Sequence, residues 1–349
     1  MTYAEAVARL LALRGGEHAG MRPGLERIEG LLEALGRPES RFTLLQVGGT
    51  NGKGSIAAML ATILTAAGRR VGLYTSPHLV SFRERIRIDG EAISEDAIVD
   101  GVEALGTLVA RFDATVFEAT TALALDHFAR ERVDVAVLEV GLGGRLDATT
   151  IGVPAATVLS RIDLDHEAYL GTTLEAIAAE KAAIIRAGVA LSAAQAPAVT
   201  RVIVERARQV GVPLLLEGRD LHVDVLGRGP GGQRISCRGA GWTFGQLDLS
   251  LLGTFQPPNA LLAVASAIQL GIPEGAIRHG LARVRWPGRF QVIGDRPTLV
   301  LDAAHNPAGA RALAASLRET FGSAPLTLVL GISRDKDAAA MLAALAPLA

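Results

Sequence analysis

The feature that most constrains this chain is an apolar run at residues 42–47 that passes directly into a glycine-rich stretch, 48–55, and then into a helical segment, 56–67. Glycines permit a tight turn and let a phosphate approach the backbone, while the helix N-terminus and Lys53 supply positive potential. The stretch departs from the Walker pattern because Gly54 follows the lysine. A glycine-rich turn with a solvated lysine is the alternative, but the flanking strand and helix favour a phosphate-binding loop.

Further apolar runs alternate with helical segments rich in Ala and Leu. The runs cover residues 71–74, 133–140 and 157–160. Continuous apolar strands separated by helices predict an α/β fold, with a doubly wound, mainly parallel sheet covered on both faces. Between residues 214 and 252 the strands become short and are interrupted by Gly and Asp, which predicts a small antiparallel patch.

A second series of strands and helices follows residues 286–288. Its strands are expected near 290–293, 299–301 and 326–330, and its helices near 307–321 and 338–348. We therefore predict an ATP-binding P-loop domain at residues 1–284 and a smaller, Rossmann-like α/β domain at residues 285–349. Three strands are fewer than the usual 4–6, so we expect the second domain to be incomplete at its C-terminal end.

Composition excludes several classes of protein. A chain of 349 residues with 49% hydrophobic positions can bury a large core, and its net charge of −1 provides no general field for nucleic acid or an anionic membrane. The single cysteine, Cys237, cannot form an internal disulfide, and no stretch reaches the roughly 18 apolar residues of a membrane helix. We expect a cytoplasmic monomer that binds small molecules.

Polar side chains stand where two predicted strands end. Glu139 closes the apolar run at 133–140, and Asp163, Asp165 and His166 follow the next one. Strand ends form the crevice in which doubly wound sheets bind ligands, and a carboxylate there suits Mg²⁺. An ion pair of Glu139 with Arg145 and a structural histidine are the alternatives.

The second domain contributes a strand-to-helix junction at residues 302–307. Asn306 suits the N-cap and Pro307 the first helical position, which leaves Asp302 and His305 as candidates for chemistry. Arg289 lies at the predicted hinge. Closure of a cleft between the domains would bring these groups toward the P-loop and exclude water.

Two features stay ambiguous at this level. Arg83, Arg85 and Arg87 alternate with other residues, so a strand there would display three guanidiniums on one face, either for an acidic substrate or for solvent. Lys181 lies in a helix that a capping-box pattern at 172–175 would start. Composition favours a snorkelling lysine and gives it no chemical role.

Together these residues resemble the folylpolyglutamate synthase/dihydrofolate synthase family, a branch of the Mur ligase superfamily. The resemblance runs from residues 24–27 to residues 331–337. The motifs that carry it are residues 49–55, 75–79, 139–147, His166, residues 180–181, residues 255–256 with Asn259, residues 286–289 and residues 302–307.

The resemblance implies roles for individual residues. The ATP phosphates would be held by Thr50, Asn51, Gly52, Lys53, Gly54 and Ser55, and the nucleotide contacted by Asn259, Arg289 and Asp302. Ser76 and Glu139 would bind one Mg²⁺, His166 a second, and Lys181 would be carbamylated. The pteroate group would be contacted by Phe117, Glu118, Leu146, Asp147 and Ala148, and Arg85 and His305 would lie near the incoming glutamate.

The activity that this resemblance implies is ATP-dependent addition of L-glutamate to dihydropteroate, to folates, or to both, through an acyl phosphate. A cell-wall Mur ligase is a second hypothesis, but it needs a separate N-terminal domain, and only about 40 residues precede the first strand. A protein that binds ATP without turnover is a third. Glutamate-dependent release of ADP would distinguish it from a ligase.

Overall fold

The computed structural model describes residues 1–16, 22–229, 231–294 and 296–349. Its main element is a sheet of eight strands. In chain order these are β1 (Thr43–Gly48), β2 (Val71–Tyr74), β3 (Ile86–Ile88), β4 (Glu91–Ala92), β5 (Val135–Glu139), β6 (Pro154–Leu159), β7 (Val189–Ser192) and β8 (Leu214–Leu216). Their spatial order is β4-β3-β2-β5-β1-β6-β7-β8. All neighbours pair in parallel except β3 with β2 and β4 with β3, so the predicted doubly wound sheet is confirmed.

Helices cover both faces of this sheet. They are α1 (Tyr3–Leu11), α2 (Glu26–Ala34), α3 (Lys53–Ala66), α4 (Glu95–Phe112), α5 (Val116–Arg130), α6 (Glu167–Leu170), α7 (Leu174–Ala182) and α8 (Pro197–Val210). After the small sheet described below come α9 (Gln256–Gln269) and α10 (Glu274–Arg283). One apolar core lies between the sheet and α3, α9 and α10, and a second lies on the opposite face beneath α1, α2, α4 and α5.

Register brings the candidate groups to one edge. In β1, Val47 pairs with Glu139 of β5, and Gly48 pairs with Leu159 of β6. Because these strands are parallel, their carboxyl ends and the loops that follow them meet at the same edge of the sheet.

The predicted antiparallel patch is present as a sheet of β9 (His222–Gly229), β10 (Gly232–Gly239) and β11 (Trp242–Leu249). The predicted patch was too long at its start, because β8 belongs to the main sheet. The three leucines of β8 pair in parallel with β7, whose edge they extend.

The C-terminal region contains the antiparallel pair β12 (Gln291–Ile293) and β13 (Leu299–Leu301), followed by α11 (Pro307–Phe321) and α12 (Ala338–Leu345). The strand predicted at 326–330 is wrong. Within the described ranges β12 and β13 pair only with each other, so this segment has no ladder to join, and Val329 is 95% exposed.

The prediction of a strand with three arginines on one face is also wrong. Residues Phe82–Arg85 form a 3₁₀ helix because Ser81 and Glu84 make a capping box at its start. Arg85 therefore points into the protein and is 1% exposed, whereas Arg87 lies over the ring of Trp286.

Two smaller observations complete the fold. The helix that carries Lys181 begins one residue later than predicted, since Thr173 is the N-cap and its hydroxyl accepts from the amide of Ala176. Among the parts of the chain that the structure describes, no helix is both long enough and apolar enough to cross a membrane.

Candidate active site

The turn between β1 and α3 can be built only from glycine at two of its positions. Gly49 has a φ of 127°, and a Cβ there would lie 2.0 Å from the hydroxyl of Ser160. Gly52 is the N-cap of α3 with a φ of 97°, and a Cβ there would lie 2.6 Å from the side-chain oxygen of Asn259. These values lie in the region that glycine occupies without strain. The turn leaves the first amides of α3 open to an anion.

The departure from the Walker pattern has a packing cause. A Cβ on Gly54 would lie 3.0 Å from the indole of Trp286, which approaches the turn from the segment between α10 and β12. Glycine after Lys53 therefore makes room for a tryptophan. The indole N–H is buried and has no hydrogen-bond partner among the described residues.

Two lysines bind the backbone of this turn. Lys53 donates to the carbonyl of Thr50, and Lys181 donates to the carbonyl of Gly49, each over 3.0 Å. Lys181 is 4% exposed, and burial, followed by the charge of Lys53, lowers its pKa to about 7. Composition gave Lys181 no role, and only the family resemblance singled it out, as a carbamylated lysine.

Other side chains of the turn are bound to its surroundings. The hydroxyl of Thr50 donates to the carbonyl of Asp163 and accepts from the Asp163 amide, both at 3.1 Å. Ser55 accepts from Gln256 at 3.2 Å, and Gln256 accepts from Asn259 at 3.1 Å. The start of α9 therefore contacts the start of α3.

Glu139 lies at the end of β5 beside the turn. Its carboxylate accepts from the amide of Ser76 at 3.2 Å, and burial raises its pKa, against the opposing charge of Lys53. The alternative ion pair with Arg145 is wrong, because Arg145 binds Glu180 at 2.9 Å.

The donor set at Glu139 fits Mg²⁺. The buried carboxylate accepts one hydrogen bond, from the main-chain amide of Ser76, and retains oxygen lone pairs. In the described residues no three His, Cys, Asp or Glu side chains form a metal cluster. Mg²⁺ sites can use only one or two carboxylates, completed by phosphate oxygens and water.

His166 is the N-cap of the short helix α6 and follows β6 at the same edge of the sheet. Burial lowers the pKa of its imidazole, which favours the neutral ring that a metal ligand requires. The ring nitrogen Nε2 lies 3.9 Å from a carboxylate oxygen of Asp165.

Asp165 joins the edge of the main sheet to the C-terminal region. It accepts from Asn306 at 2.8 Å and from Lys336 at 2.9 Å, and His305 lies 3.6 Å away. Burial acts to raise the pKa of this carboxyl, but the nearby His305 and the hydrogen bonds from Lys336 and Asn306 outweigh it and hold the pKa well below its usual range. The side chains of Asn306 and Asn51 also exchange hydrogen bonds of 3.0 Å, so the second domain contacts the glycine turn directly.

The remaining groups of the second domain shape its loops. Asp302 accepts from the amides of Phe290 and Ala304 at 2.8 Å, and burial raises its pKa. Arg289 donates to the carbonyl of Gly288 at 3.1 Å, and its charge opposes the rise in pKa that burial causes at both Glu139 and Asp302. Arg289 therefore acts electrostatically on groups of both domains.

The residues expected at a pteroate site lie around the loop after β5. Asp147 is buried and accepts from the amides of Leu142 and Thr149 at 2.9 Å, and burial raises its pKa. Phe117 packs against Gly141, where a Cβ would lie 2.5 Å from the ring. Leu146 is half-buried and Ala148 is buried beside Asp147.

Two of the expected substrate contacts already have partners in the protein. Glu118 binds Arg27 through two oxygens at 2.9 and 3.1 Å and also closes the capping box of α5 with Thr115. Arg85 donates to the ring nitrogen Nδ1 of His78 at 2.9 Å. Both contacts restrict the side chains to one orientation.

Comparison with known proteins agrees with this arrangement. The Mur ligase middle domain family matches residues 47–267, and the Mur ligase glutamate ligase domain family matches residues 288–349. A folylpolyglutamate synthase of Lacticaseibacillus casei is 38% identical over 98% of this chain and 82% of its own length. A dihydrofolate synthase/folylpolyglutamate synthase of Mycobacterium tuberculosis is 38% identical over 93% of this chain and 72% of its own length. The chain spans 42% of a probable bifunctional folylpolyglutamate synthase/dihydropteroate synthase of Haloferax volcanii, at 42% identity over 99% of this chain.

Solved structures give the same result. A Mycobacterium tuberculosis folylpolyglutamate synthase complexed with ADP and AMPPCP superposes with a TM-score of 0.92, at 38% identity over 99% of this chain and 81% of that one. A folylpolyglutamate synthase complex with AMPPCP and folate superposes with a TM-score of 0.90, at 38% identity over 99% of this chain and 88% of that one.

Proposed function

The chain belongs to the folylpolyglutamate synthase/dihydrofolate synthase family of Mur ligases, and we propose that it uses ATP to join L-glutamate to dihydropteroate and to the γ-carboxylate of a folate. The observation that carries the proposal is the junction at the glycine turn, where Asn51 and Asn306 bind each other at 3.0 Å. A phosphate on the turn would therefore lie between the two domains.

The first step is phosphoryl transfer. The acceptor carboxylate attacks the γ-phosphorus of ATP, the bond to the bridging oxygen breaks, and ADP and an acyl phosphate form. The backbone of Thr50 to Ser55 holds the phosphates, and Lys53 moves from the carbonyl of Thr50 to offset charge on the transferring group. Asn259, Arg289 and Asp302 hold the nucleotide from the hinge and the second domain.

Glu139 and Ser76 would hold one Mg²⁺ and His166 a second, and these ions would supply positive charge to the phosphates. We propose that Lys181 carries a carbamate: its neutral amine adds to CO₂ and releases one proton, which leaves an anionic oxygen ligand. A pKa of about 7 supports this, because a large fraction of the amine is neutral at physiological pH.

The second step forms the amide. The amine of L-glutamate attacks the acyl carbon, phosphate leaves, and the amine loses one proton. Arg85 and His305 are proposed to orient the incoming glutamate, and proximity supplies much of the rate. Phe117, Glu118 and Leu146 through Ala148 are proposed to hold the pteroate group, with Glu118 oriented by Arg27.

The test is a coupled assay of ADP formation with L-glutamate, in which dihydropteroate and tetrahydrofolate are offered separately. We expect Lys53→Ala to lower turnover by on the order of 100-fold while circular dichroism stays that of the parent. Arg208→Gln is the matched control, because Arg208 pairs with Glu205 on an exposed face of α8. Turnover unchanged in Lys53→Ala would contradict the mechanism, and ATP binding without glutamate-dependent ADP release would favour a protein that binds ATP without turnover.

Use of both acceptors, a monomeric state and a cytoplasmic location stay predictions, as does the division of the chain between residues 284 and 285. Turnover with dihydropteroate alone would assign dihydrofolate synthesis only. Turnover with both acceptors would support the bifunctional assignment.

A further inference from the structure

A cavity lies beside the loop that follows β5, apart from the glycine turn. Its volume is about 470 Å³, and its lining includes four arginines but only one carboxylate, that of Glu29. The arginines are Arg37, Arg145, Arg186 and Arg206, and they come from four separate segments of the chain. Like charges gathered from distant positions raise the electrostatic free energy of the folded state unless something balances them.

Arg186 and Arg206 form no ion pair within the part of the chain that the structure describes. Arg186 donates to the main-chain carbonyls of Gly152 at 2.7 Å and Ile151 at 3.0 Å, and its Nε is buried without a hydrogen-bond partner. Arg206 donates to the carbonyl of Ile185 at 3.0 Å. These contacts fix both guanidiniums in place but leave their charges without a counterion.

Arg37 and Arg145 stand at the mouth of the cavity. Arg37 is half exposed and lies 3.6 Å from the buried carboxylate of Glu39, and Arg145 is exposed and bound to the partly buried Glu180. Because both guanidiniums reach solvent, water screens these ion pairs and lowers their contribution to the free energy. Both guanidiniums can therefore turn toward a ligand in the cavity.

We propose that this cavity is a second anion site, which binds a small molecule carrying two or more carboxylate or phosphate groups. The guanidinium plane matches both oxyanions through paired hydrogen bonds, and two fixed cations with two movable ones favour a multivalent ligand over a single charge.

The cavity is connected to the proposed pteroate loop. Arg186 Nη2 lies 3.4 Å from Gln46 Oε1, and the amide nitrogen of Gln46 donates to Thr150 at 2.8 Å and to Thr149 at 3.3 Å. The amide of Thr149 donates to Asp147. A ligand that binds Arg186 would weaken the hydrogen bond that this guanidinium donates to Gln46, so occupancy and acceptor affinity should be linked reciprocally.

Two sources share this chemistry. A chain of γ-linked glutamates offers carboxylates, and this source rests on the proposed function. An inorganic di- or polyphosphate offers phosphoryl oxygens and does not depend on that function.

The experiment is calorimetric titration of the full chain with γ-linked triglutamate and, separately, with pyrophosphate. The pyrophosphate arm uses the Lys53→Ala background, because the glycine turn also suits that anion. We expect Arg206→Gln to weaken binding by about tenfold and Arg208→Gln, on the same helix, to leave it unchanged. Arg145→Gln, at an exposed position, provides a second test should Arg206→Gln fail to fold.

The outcomes separate the hypotheses. Binding of triglutamate alone that is lost in Arg206→Gln supports the carboxylate source, and binding of pyrophosphate alone that is lost there supports the phosphate source. No binding of either probe, or equal binding in parent and arginine variants, would overturn the proposal. These outcomes are measured without ATP turnover. A parent protein that formed no ADP would contradict the proposed function, and the pyrophosphate titration could still support the anion site.

Discussion

Replacing Lys181 by methionine should raise stability while lowering activity. The two side chains have similar length and flexibility, but methionine removes a buried charge. Burial lowers the pKa of Lys181 from 10.5 to about 7, so the unfolded chain holds this proton more tightly than the folded one. The wild-type protein therefore bears the full cost below about pH 7, and the cost falls as pH rises from about 7 to about 10.5.

The magnitude follows from the same shift. A change from 10.5 to about 7 corresponds to roughly 5 kcal/mol at about pH 6, and to roughly 2 kcal/mol at about pH 9. Methionine also leaves the carbonyl of Gly49 without its donor, which costs about 1–3 kcal/mol. We therefore expect a net gain of roughly 2–4 kcal/mol near pH 6 that nearly disappears near pH 9.

The assay is urea unfolding of both proteins at the two pH values, in buffer freed of CO₂ so that the lysine keeps its amine. Glutamate-dependent ADP formation, measured in parallel with bicarbonate present, should fall in Lys181→Met because the proposed carbamate is lost. A variant less stable than wild type near pH 6, or a difference that does not shrink as pH rises, would refute the reasoning.

Three further substitutions test other contacts. Arg27→Met should lower the free energy of unfolding by about 3–5 kcal/mol in urea titrations, because the buried carboxylate of Glu118 loses its partner. Adding Glu118→Gln should recover part of the lost free energy. No recovery would contradict the ion pair between Arg27 and Glu118 as the cause. Gly49→Ala should weaken nucleotide binding at least about tenfold by calorimetry, since its Cβ would clash, whereas Gly275→Ala, with open space around it, should bind as wild type does. Asp165→Asn should lower turnover by on the order of tenfold in the ADP assay and also lower the unfolding midpoint, because it removes the charge that Lys336 pairs with and weakens the contact between the domains. Unchanged turnover would speak against that contact.

Local patterns predicted the four central strands of the main sheet, β1, β2, β5 and β6, and the glycine turn, but not the outer strands β3, β4, β7 and β8. The strand before Gly49 and the helix after it are each formed by consecutive residues, so periodicity and the positions of the glycines are enough to predict them. The strand expected at residues 326–330 fails for a complementary reason. An apolar run forms a strand only where a neighbour supplies hydrogen bonds, and a local pattern does not specify that neighbour.

The candidate site was predictable to the extent that its residues end strands. Glu139 and His166 follow from the rule that parallel strand ends share an edge. The partners of Asp165 do not, because Asn306 and Lys336 lie 141 and 171 residues away. Because N-capping already explained Asn306, there was no separate reason in the sequence to expect its hydrogen bond with Asp165. Composition gave no reason to single out Lys181, which only the family resemblance did, because its contact with Gly49 crosses the fold.

The indole beside the glycine turn also gives the protein an optical property. Of the two tryptophans, Trp286 lies against Gly54 and beneath the guanidinium of Arg87, whereas Trp242 lies in the small three-stranded sheet. Any ligand that reorders the turn changes the polarity and the nearby charge around one of the two tryptophans. Intrinsic fluorescence therefore reports events at this turn without a label, and Trp242→Phe would leave a single emitter there.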